Sequence, residues 1–401
     1  MNDVSPLFIR AHGQTDQLSA ELAGSKAAQI SRMIKLGLNV PAAFVLPTPL
    51  CTPVNRGHHA SLATLDAMLR EGIASLEEAT RRRFGDKRSP LLVSVRSGAA
   101  KSMPGMLATI LDVGLNADSV QGLIGLTGNP RLAWDCYRRL IQNFAEVVAG
   151  ASSEGFEELL AAMIRSEDVR SEGELDSEAL ERLARQFQLL AAEIPGGSIP
   201  DDPFAQLAAA ARAIYRSWEN PRAEEYRRLN HLESLQGTAV TVQCMVFGNA
   251  GGKSGAGVAF SRNPATGAKE LYVDFLIDAQ GEDVVAGRRL AGNTNLLASR
   301  IPKAARELAD GMTRLEQEFR DIQDVEFTVE NGTLFFLQTR NAKRTPRAAL
   351  RALVDFVQEG LIDAKTALTR VEEIDINGAR VTRFASKTEA IATGLSACPG
   401  V

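Results

Sequence analysis

Residues 320–345 read RDIQDVEFTVENGTLFFLQTRNAKRT. Two runs of alternating β-branched and aromatic residues flank Glu330-Asn331-Gly332, the pattern of a β-hairpin. Side-chain parity separates the turn lengths, because a one-residue slip moves every side chain to the opposite face. A two-residue Asn331-Gly332 loop would put Val325 and Phe327 on the face of Leu334 and Gln338, mixing apolar with polar. A three-residue loop, Glu330-Asn331-Gly332 with the glycine left-handed, keeps them apart. Val325, Phe327, Val329, Phe335 and Leu337 then share one face, and Asp324, Glu326, Thr328, Phe336, Gln338 and Arg340 the other. We prefer the three-residue loop. It gathers two carboxylates, an amide and a guanidinium on one strand pair. Hard carboxylate and amide oxygens suit Mg²⁺, and a guanidinium neutralises phosphate oxygens. The competing reading is a solvated polar face with a cross-strand ion pair.

Working outward, the hairpin lies in a strand-rich stretch. Thr238 to Phe247, Val258 to Ser261 and Leu271 to Ile277 are strand candidates, and residues 300 to 320 are helical. Between about Leu132 and Tyr226, long Ala/Leu/Glu/Arg segments such as SEALERLARQFQLLAAEI predict a helical region. Upstream, Val40 to Val45 and Leu91 to Val95 are short apolar strands with an amphipathic helix, Ser61 to Phe84, between them. Residues 18–37 have helical spacing, Gly24-Ser25-Lys26 reads as the turn opening that helix, and Gly37 stops it. The organisation expected is a first lobe over 1–125, a helical insertion over 126–235, a second lobe over 236–345, a helical linker over 346–385 and the start of another domain over 386–401. The fold class is α/β (α+β).

The proportions are those of a water-soluble globular chain. The 401 residues are 45% hydrophobic and 23% charged with only 5% aromatic. At roughly 100 to 200 residues per domain, a lone small module is excluded. A net charge of −4 supplies no broad basic field for nucleic acid or an anionic membrane. Cys51, Cys136, Cys244 and Cys398 are far apart with no CxxC pair, against a disulfide scaffold or a cysteine zinc site. Four histidines, His12, His58, His59 and His231, make a histidine-rich metal centre or a Ser-His-Asp triad a poor reading. With no signal-like N-terminus and no run of about 18 apolar residues, a cytoplasmic location is expected.

Two further segments bear on a phosphate site. GNAGGKSGAG (248–257) has neither P-loop nor Rossmann spacing, so it reads either as a turn between strands or as a lid offering backbone N–H groups. Arg96 ends an apolar strand and enters a Ser-Gly loop, either as a surface terminus or as a cation reaching phosphate across a cleft.

LLVSVRSGAAKSMPGMLATILDVGLN (91–116), NPRLAWDCYRRLIQNF (129–144), YRSWENPRAEEYRRLN (215–230) and GTAVTVQCMVFGN (237–249) closely resemble the pyruvate phosphate dikinase family. So do GAGVAFSRNPATG (255–267), LIDAQGEDVVAGRR (276–289) and the hairpin segment itself, in family order over nearly the whole chain. The resemblance implies an ATP-grasp-like, two-lobed nucleotide-binding fold with a helical insertion, and a kinase or phosphotransferase with paired acceptors. ATP and Mg²⁺ are the implied cofactors. Lys26 and Arg96 match the family's phosphate-contacting cations, and Asp324, Glu326, Gln338 and Arg340 its D-x-E and Q-T-R motifs. Arg96 and Arg340 are the implied catalytic cations, Glu326 and Gln338 the metal ligands, with Asp324 nearby. Glu282 matches the QGE segment beside the nucleotide, and Ser102 to Met106 and Ser254 to Gly257 resemble loops near the transferred phosphates. The RSGAxxSMPGM form points to inorganic phosphate, not water, as acceptor. The family reaction converts ATP, phosphate and pyruvate to AMP, pyrophosphate and phosphoenolpyruvate through a phosphohistidine on a swivelling domain.

The chain departs from this pattern in two places. The family's G-G-K-G is here Gly24-Ser25-Lys26-Ala27, so added Cβ atoms are expected to weaken the backbone approach to phosphate. The final GLSACPGV resembles the beginning of the phosphohistidine domain, and no T-x-H segment follows. The carrier is therefore expected in cis on a longer chain or in trans on another. Alternative functions are a non-catalytic ATP-binding interaction protein and a water-dikinase-type phosphotransferase. A homodimer is compatible with the sequence and not specified by it.

Overall fold

The computed structural model describes residues 5–9, 18–103, 105–281, 284 and 296–380. The first sheet has five strands in the order β1 (Leu7–Ile9), β2 (Ala43–Leu46), β7 (Thr238–Cys244), β5 (Val93–Ala99), β6 (Thr109–Val113). The second has four, in the order β11 (Thr333–Asn341), β10 (Gln323–Glu330), β8 (Gly255–Phe260), β9 (Tyr272–Ile277), all antiparallel. A small parallel pair, β3 (Arg83–Phe84) and β4 (Pro90–Leu91), completes the strands among the described residues. Helices and sheets are mixed, as the sequence predicts.

The helices are α1 (Ala20–Lys35), α2 (Cys51–Asn55), α3 (His59–Thr80), α4 (Ala117–Thr127), α5 (Pro130–Ala149), α6 (Glu154–Ser166), α7 (Ser177–Glu193), α8 (Pro203–Arg216), α9 (Pro221–Leu229), α10 (Leu296–Arg300), α11 (Pro302–Phe319), α12 (Pro346–Gln358) and α13 (Ala364–Val371). Their ends follow local chemistry. Asn129 caps α5 by accepting from Leu132 N, Pro130 occupies the first turn, and Gly150 closes the helix in the left-handed region. Helix α3 stops at Arg81, itself left-handed, before β3 begins, so the predicted helix to Phe84 is shorter by one turn.

The first sheet buries one face under α3, α5 and α8, through Phe44, Leu46, Val93, Val95, Val240 and Val242. Its other face carries Ala43, Val45 and Ala239, which join α1 and the second sheet in a separate core with Val325, Phe327 and Phe336. Helix α1 is thus packed between the two sheets. The strand Thr238–Cys244, read from sequence as the opening of the second lobe, is instead hydrogen-bonded between β2 and β5 in the first sheet. Its residues alternate, but a strand's sheet partners are set by tertiary pairing and not by its position along the chain.

The hairpin corrects the parity argument. Glu330 pairs with Thr333, so the loop is the two residues Asn331 and Gly332, both left-handed with φ of 49° and 83°, as a type I′ turn requires. A bulge between the Glu326 and Phe327 positions leaves Leu337 as the extra residue of β11. It flips parity halfway along the ladder. Leu334 and Phe336 therefore face the core with Val325, Phe327 and Val329, in place of Phe335 and Leu337. Beyond the bulge Asp324 faces Arg340 and Glu326 faces Gln338, as read from the polar pattern.

Candidate active-site cleft

On the second sheet, Arg340 Nε donates to Asp324 Oδ2 at 2.7 Å. Asp324 Oδ1 is buried and has no hydrogen-bond partner among the described residues. Burial pushes the Asp324 carboxyl above its ordinary value; the Arg340 contact pulls the other way, and the neighbouring Glu326 charge adds to the rise.

The first sheet contributes from the opposite wall. Arg96 sits inside β5, not at its end, because the strand continues through Ser97-Gly98-Ala99. Its Nη2 donates across the cleft to Glu326 Oε2 and to Gln338 Oε1, both at 3.4 Å. These long bonds join the two sheets directly.

Helix α1 brings the second cation. Gly24 breaks it with φ 78° and ψ 157°, so the Gly24-Ser25-Lys26 turn is a kink inside the helix and not its opening. A Cβ on Gly24 would lie 1.9 Å from the Gly98 carbonyl oxygen, so no other residue allows this approach to β5. Ser25, whose Cβ was expected to weaken the approach, is accommodated: its Oγ donates to Ala99 O at 2.9 Å. Lys26 Cβ then lies over Gly98, and the ammonium enters the group of charges. Desolvation first, then the Arg96 and Arg340 charges, against the opposing pull of Glu326, bring its pKa down to about 7.

Between the sheets is a cavity of about 460 Å³, lined by Arg96, Glu326, Ser94, Gln243, Met245, Val246, Asn143, Gln280 and Gly281 among others. Leu111, Val258 and the bulged Leu337 supply apolar walls. Gln243, Met245, Val246, Asn143 and Gln280 were missed from the sequence. A signal for Gln243 existed, since it interrupts the apolar run of β7 with a polar side chain that is only 2% exposed. Glu282 lies outside the described residues, although its neighbour Gly281 lines the cavity.

The first part of the glycine-rich segment is held away from the charged group, whereas its last residue, Gly257, lines the cavity. Asn331 N donates to Ser254 Oγ at 3.0 Å, Gly332 N to Lys253 O at 2.8 Å, and Gly251 N to Asp278 Oδ1 at 3.3 Å. Gly255 pairs with Val329 and Val258 with Glu326, so this segment abuts the hairpin tip. Gly255 is thus about 10 Å along the ladder from Glu326, and Gly257, paired with Phe327, is one residue from it. The turn reading is favoured over the lid.

Six of the seven sequence-chosen residues, Lys26, Arg96, Asp324, Glu326, Gln338 and Arg340, therefore converge: three cations face two carboxylates and an amide. Among the described residues no group of three or more His, Cys, Asp and Glu forms a ready-made metal cage. Mg²⁺ does not need one, because it binds through one or two carboxylates and the substrate's phosphates while keeping water. The Glu326 and Gln338 oxygens converge on one Arg96 nitrogen at 3.4 Å, and Asp324 Oδ1 has no partner, so this oxygen set fits such an ion.

The sequence profile described as "Pyruvate phosphate dikinase, AMP/ATP-binding domain" matches residues 58–302 and 297–360. The "Pyruvate, phosphate dikinase" of Clostridium symbiosum is 44% identical over 384 residues, covering 94% of this chain and 44% of that protein. The chloroplastic pyruvate, phosphate dikinase of Mesembryanthemum crystallinum is 42% identical over 397 residues, 98% of this chain and 42% of that protein. Pyruvate, phosphate dikinase 2 of Zea mays is likewise 42% identical, covering 98% of this chain and 45% of that protein. The chain thus spans less than half the length of these relatives.

Proposed function

This chain belongs to the pyruvate phosphate dikinase family, and from that membership we propose that its cleft binds MgATP and delivers phosphoryl groups from it to a histidine carrier. The observation that supports this best is the meeting of Arg96 with Glu326 and Gln338 across the cavity, with Lys26 beside them. Lys26, Arg96 and Arg340 neutralise the polyphosphate, and Glu326 and Gln338, with Asp324 adjacent, hold Mg²⁺. When bound, the ion draws charge from the phosphate oxygens. The chain's own groups position and neutralise, which is most of what phosphoryl transfer asks of a protein. Glu282 is proposed to contact the nucleotide beside Gly281.

The acceptors we propose are inorganic phosphate and a phosphohistidine carrier, in cis or in trans, in a cycle that turns pyruvate into phosphoenolpyruvate. None of His58, His59 and His231 lines the cavity. Among the described residues no helix is long and apolar enough to cross a membrane. Cys51, Cys136 and Cys244 are free thiols, which suits the cytoplasmic setting we propose.

Incubating the chain with ATP, Mg²⁺, inorganic phosphate and a separate phosphohistidine domain tests the reading. AMP and pyrophosphate appear if it is right, and both vanish in Glu326→Gln. Magnesium-dependent ATP binding without turnover under those conditions would favour a binding protein, and turnover independent of added phosphate a water-type dikinase.

A further inference from the structure

Two buried polar atoms in the first sheet, Thr241 Oγ1 and Arg96 Nε, have no hydrogen-bond partner among the described residues. They belong to directly paired residues: Arg96 on β5 faces Thr241 on β7. Directly opposed residues in antiparallel strands carry Cβ atoms about 5 Å apart on the same face. That face is the one turned to α1 and the cleft. Ser94 and Gln243, the neighbouring pair, line the cavity, and Ala239 lies in the core beneath α1. Thr241 is only 1% exposed, so bulk water does not reach its hydroxyl. Leaving a buried donor and a buried acceptor unmet side by side is costly unless they serve one another in another state.

We propose that Thr241 is a positioning residue for Arg96, accepting its Nε–H when the guanidinium turns from Glu326 and Gln338 toward a bound polyphosphate. The inference rests on the reading of the cleft as a MgATP site. Arg96 Nη2 now shares the Glu326 and Gln338 oxygens at 3.4 Å, and those oxygens are the ones a metal takes. Once they are taken, Nη2 is released to the phosphates and the Nε–H needs an acceptor to fix the new plane. The Thr241 hydroxyl is the acceptor beside it on the same face.

The test uses Thr241→Val, which keeps the shape and removes the hydroxyl, and Thr241→Ser, which keeps the hydroxyl. For each, the affinities for ATP and AMP are measured in the presence of Mg²⁺ by titration calorimetry on the whole chain. We expect Thr241→Val to lose about tenfold in its preference for ATP over AMP, with AMP affinity unchanged, and Thr241→Ser to retain the wild-type ratio. A merely structural hydroxyl predicts the reverse: removing an unmet buried oxygen raises the melting temperature and leaves the ratio alone. That outcome overturns the proposal, as does equal loss in both variants or equal loss for ATP and AMP. Arg96→Ala separates the two levels. If it too keeps the full preference for ATP, the reading of the cleft itself fails; if it loses the preference while Thr241→Val does not, only the role of Thr241 falls.

Discussion

Arg96 reaches across the cleft to Glu326, its Nη2 3.4 Å from Oε2, with side-chain exposures of 17% and 21%. A pair this long and partly wet holds the two sheets only weakly, since exposed ion pairs contribute about 0–1 kcal/mol. It is better placed to be exchanged for a metal and a phosphate than to stabilise the fold. Glu326→Gln should therefore leave unfolding of the free protein nearly unchanged. Thermal unfolding with MgATP near 100 times its dissociation constant should show a stabilisation of about 2.7 kcal/mol in the wild type. That shift should depend on magnesium and be absent in Glu326→Gln. An undiminished magnesium-dependent shift in the variant removes Glu326 from the metal.

Lys26 makes the site sensitive to pH in a defined direction. Its folded pKa is about 7 against an ordinary 10.5, so between those values the unfolded chain binds the extra proton. Stability from this group therefore rises with pH from about 7 to 10.5 and is flat outside that window. Denaturant unfolding at pH 7, 8.5 and 10 should show this component, and Lys26→Met should remove it. A bound polyphosphate restores the charge, so ATP binding at pH 8 should take up close to one proton. Calorimetry in two buffers of different ionisation enthalpy measures that number, and no buffer dependence places Lys26 away from the phosphates.

The polar end of the hairpin was legible because its four residues alternate with β-branched ones, and that pattern survives whatever the turn does. The turn itself was misread. Parity over an uninterrupted ladder excludes two residues, and the bulge at Leu337 leaves no local mark in the sequence. The kink at Gly24 was visible only as small residues; that it seats α1 on Gly98 is a contact 74 residues away in the chain. Gln243, Met245 and Val246 escaped notice because they look like any buried strand until β7 is placed at the centre of the first sheet. Periodicity reports which side of an element is buried; it does not report which other element covers it.

Arg340 and Asp324 are unequal partners, the guanidinium side chain 35% exposed and the carboxylate 6%. Arg340→Ala strands Asp324 in a poorly solvated position, and its carboxyl should move further above the ordinary value. The expected cost in ATP affinity is roughly 1.5–3 kcal/mol, the range of a charge-assisted hydrogen bond. Titration with ATP checks it, and an unchanged dissociation constant withdraws Arg340 from the phosphates.

Gly24 and Gly57 both have left-handed φ, 78° and 68°, but differ in what surrounds them. An added Cβ at Gly57 meets nothing within 4 Å, whereas at Gly24 it would overlap Gly98 O. Gly57→Ala should cost about 1 kcal/mol, the left-handed penalty alone. Gly24→Ala forces α1 off β5 and should cost about 3 kcal/mol or more together with most of the MgATP shift, because Lys26 moves with the helix. Equal effects of the two substitutions on unfolding would contradict the close approach.

Arg262 offers a control that separates stability from binding. Its side chain is fully buried, donating to both Glu316 oxygens from Nε at 3.1 Å and to Glu359 Oε2 from Nη2 at 2.9 Å, with its guanidinium 4.5 Å from the Phe356 ring centroid. It thus ties the end of β8 to α11 and to the end of α12. Removing one member of such a network leaves carboxylates without their counter-charge, at about 3–5 kcal/mol. The Glu359 carboxyl is held below its ordinary value, so its share of that stability is present above the unfolded pKa of 4.5 and is lost as pH falls through the folded value. Arg262→Met should accordingly lower the denaturation midpoint sharply at neutral pH and flatten the loss of stability on acidification. It lines neither the cavity nor the charged group, so calorimetry on the folded protein should return an unchanged MgATP affinity. A fall in both together means that the anchoring of α12 is coupled to the cleft.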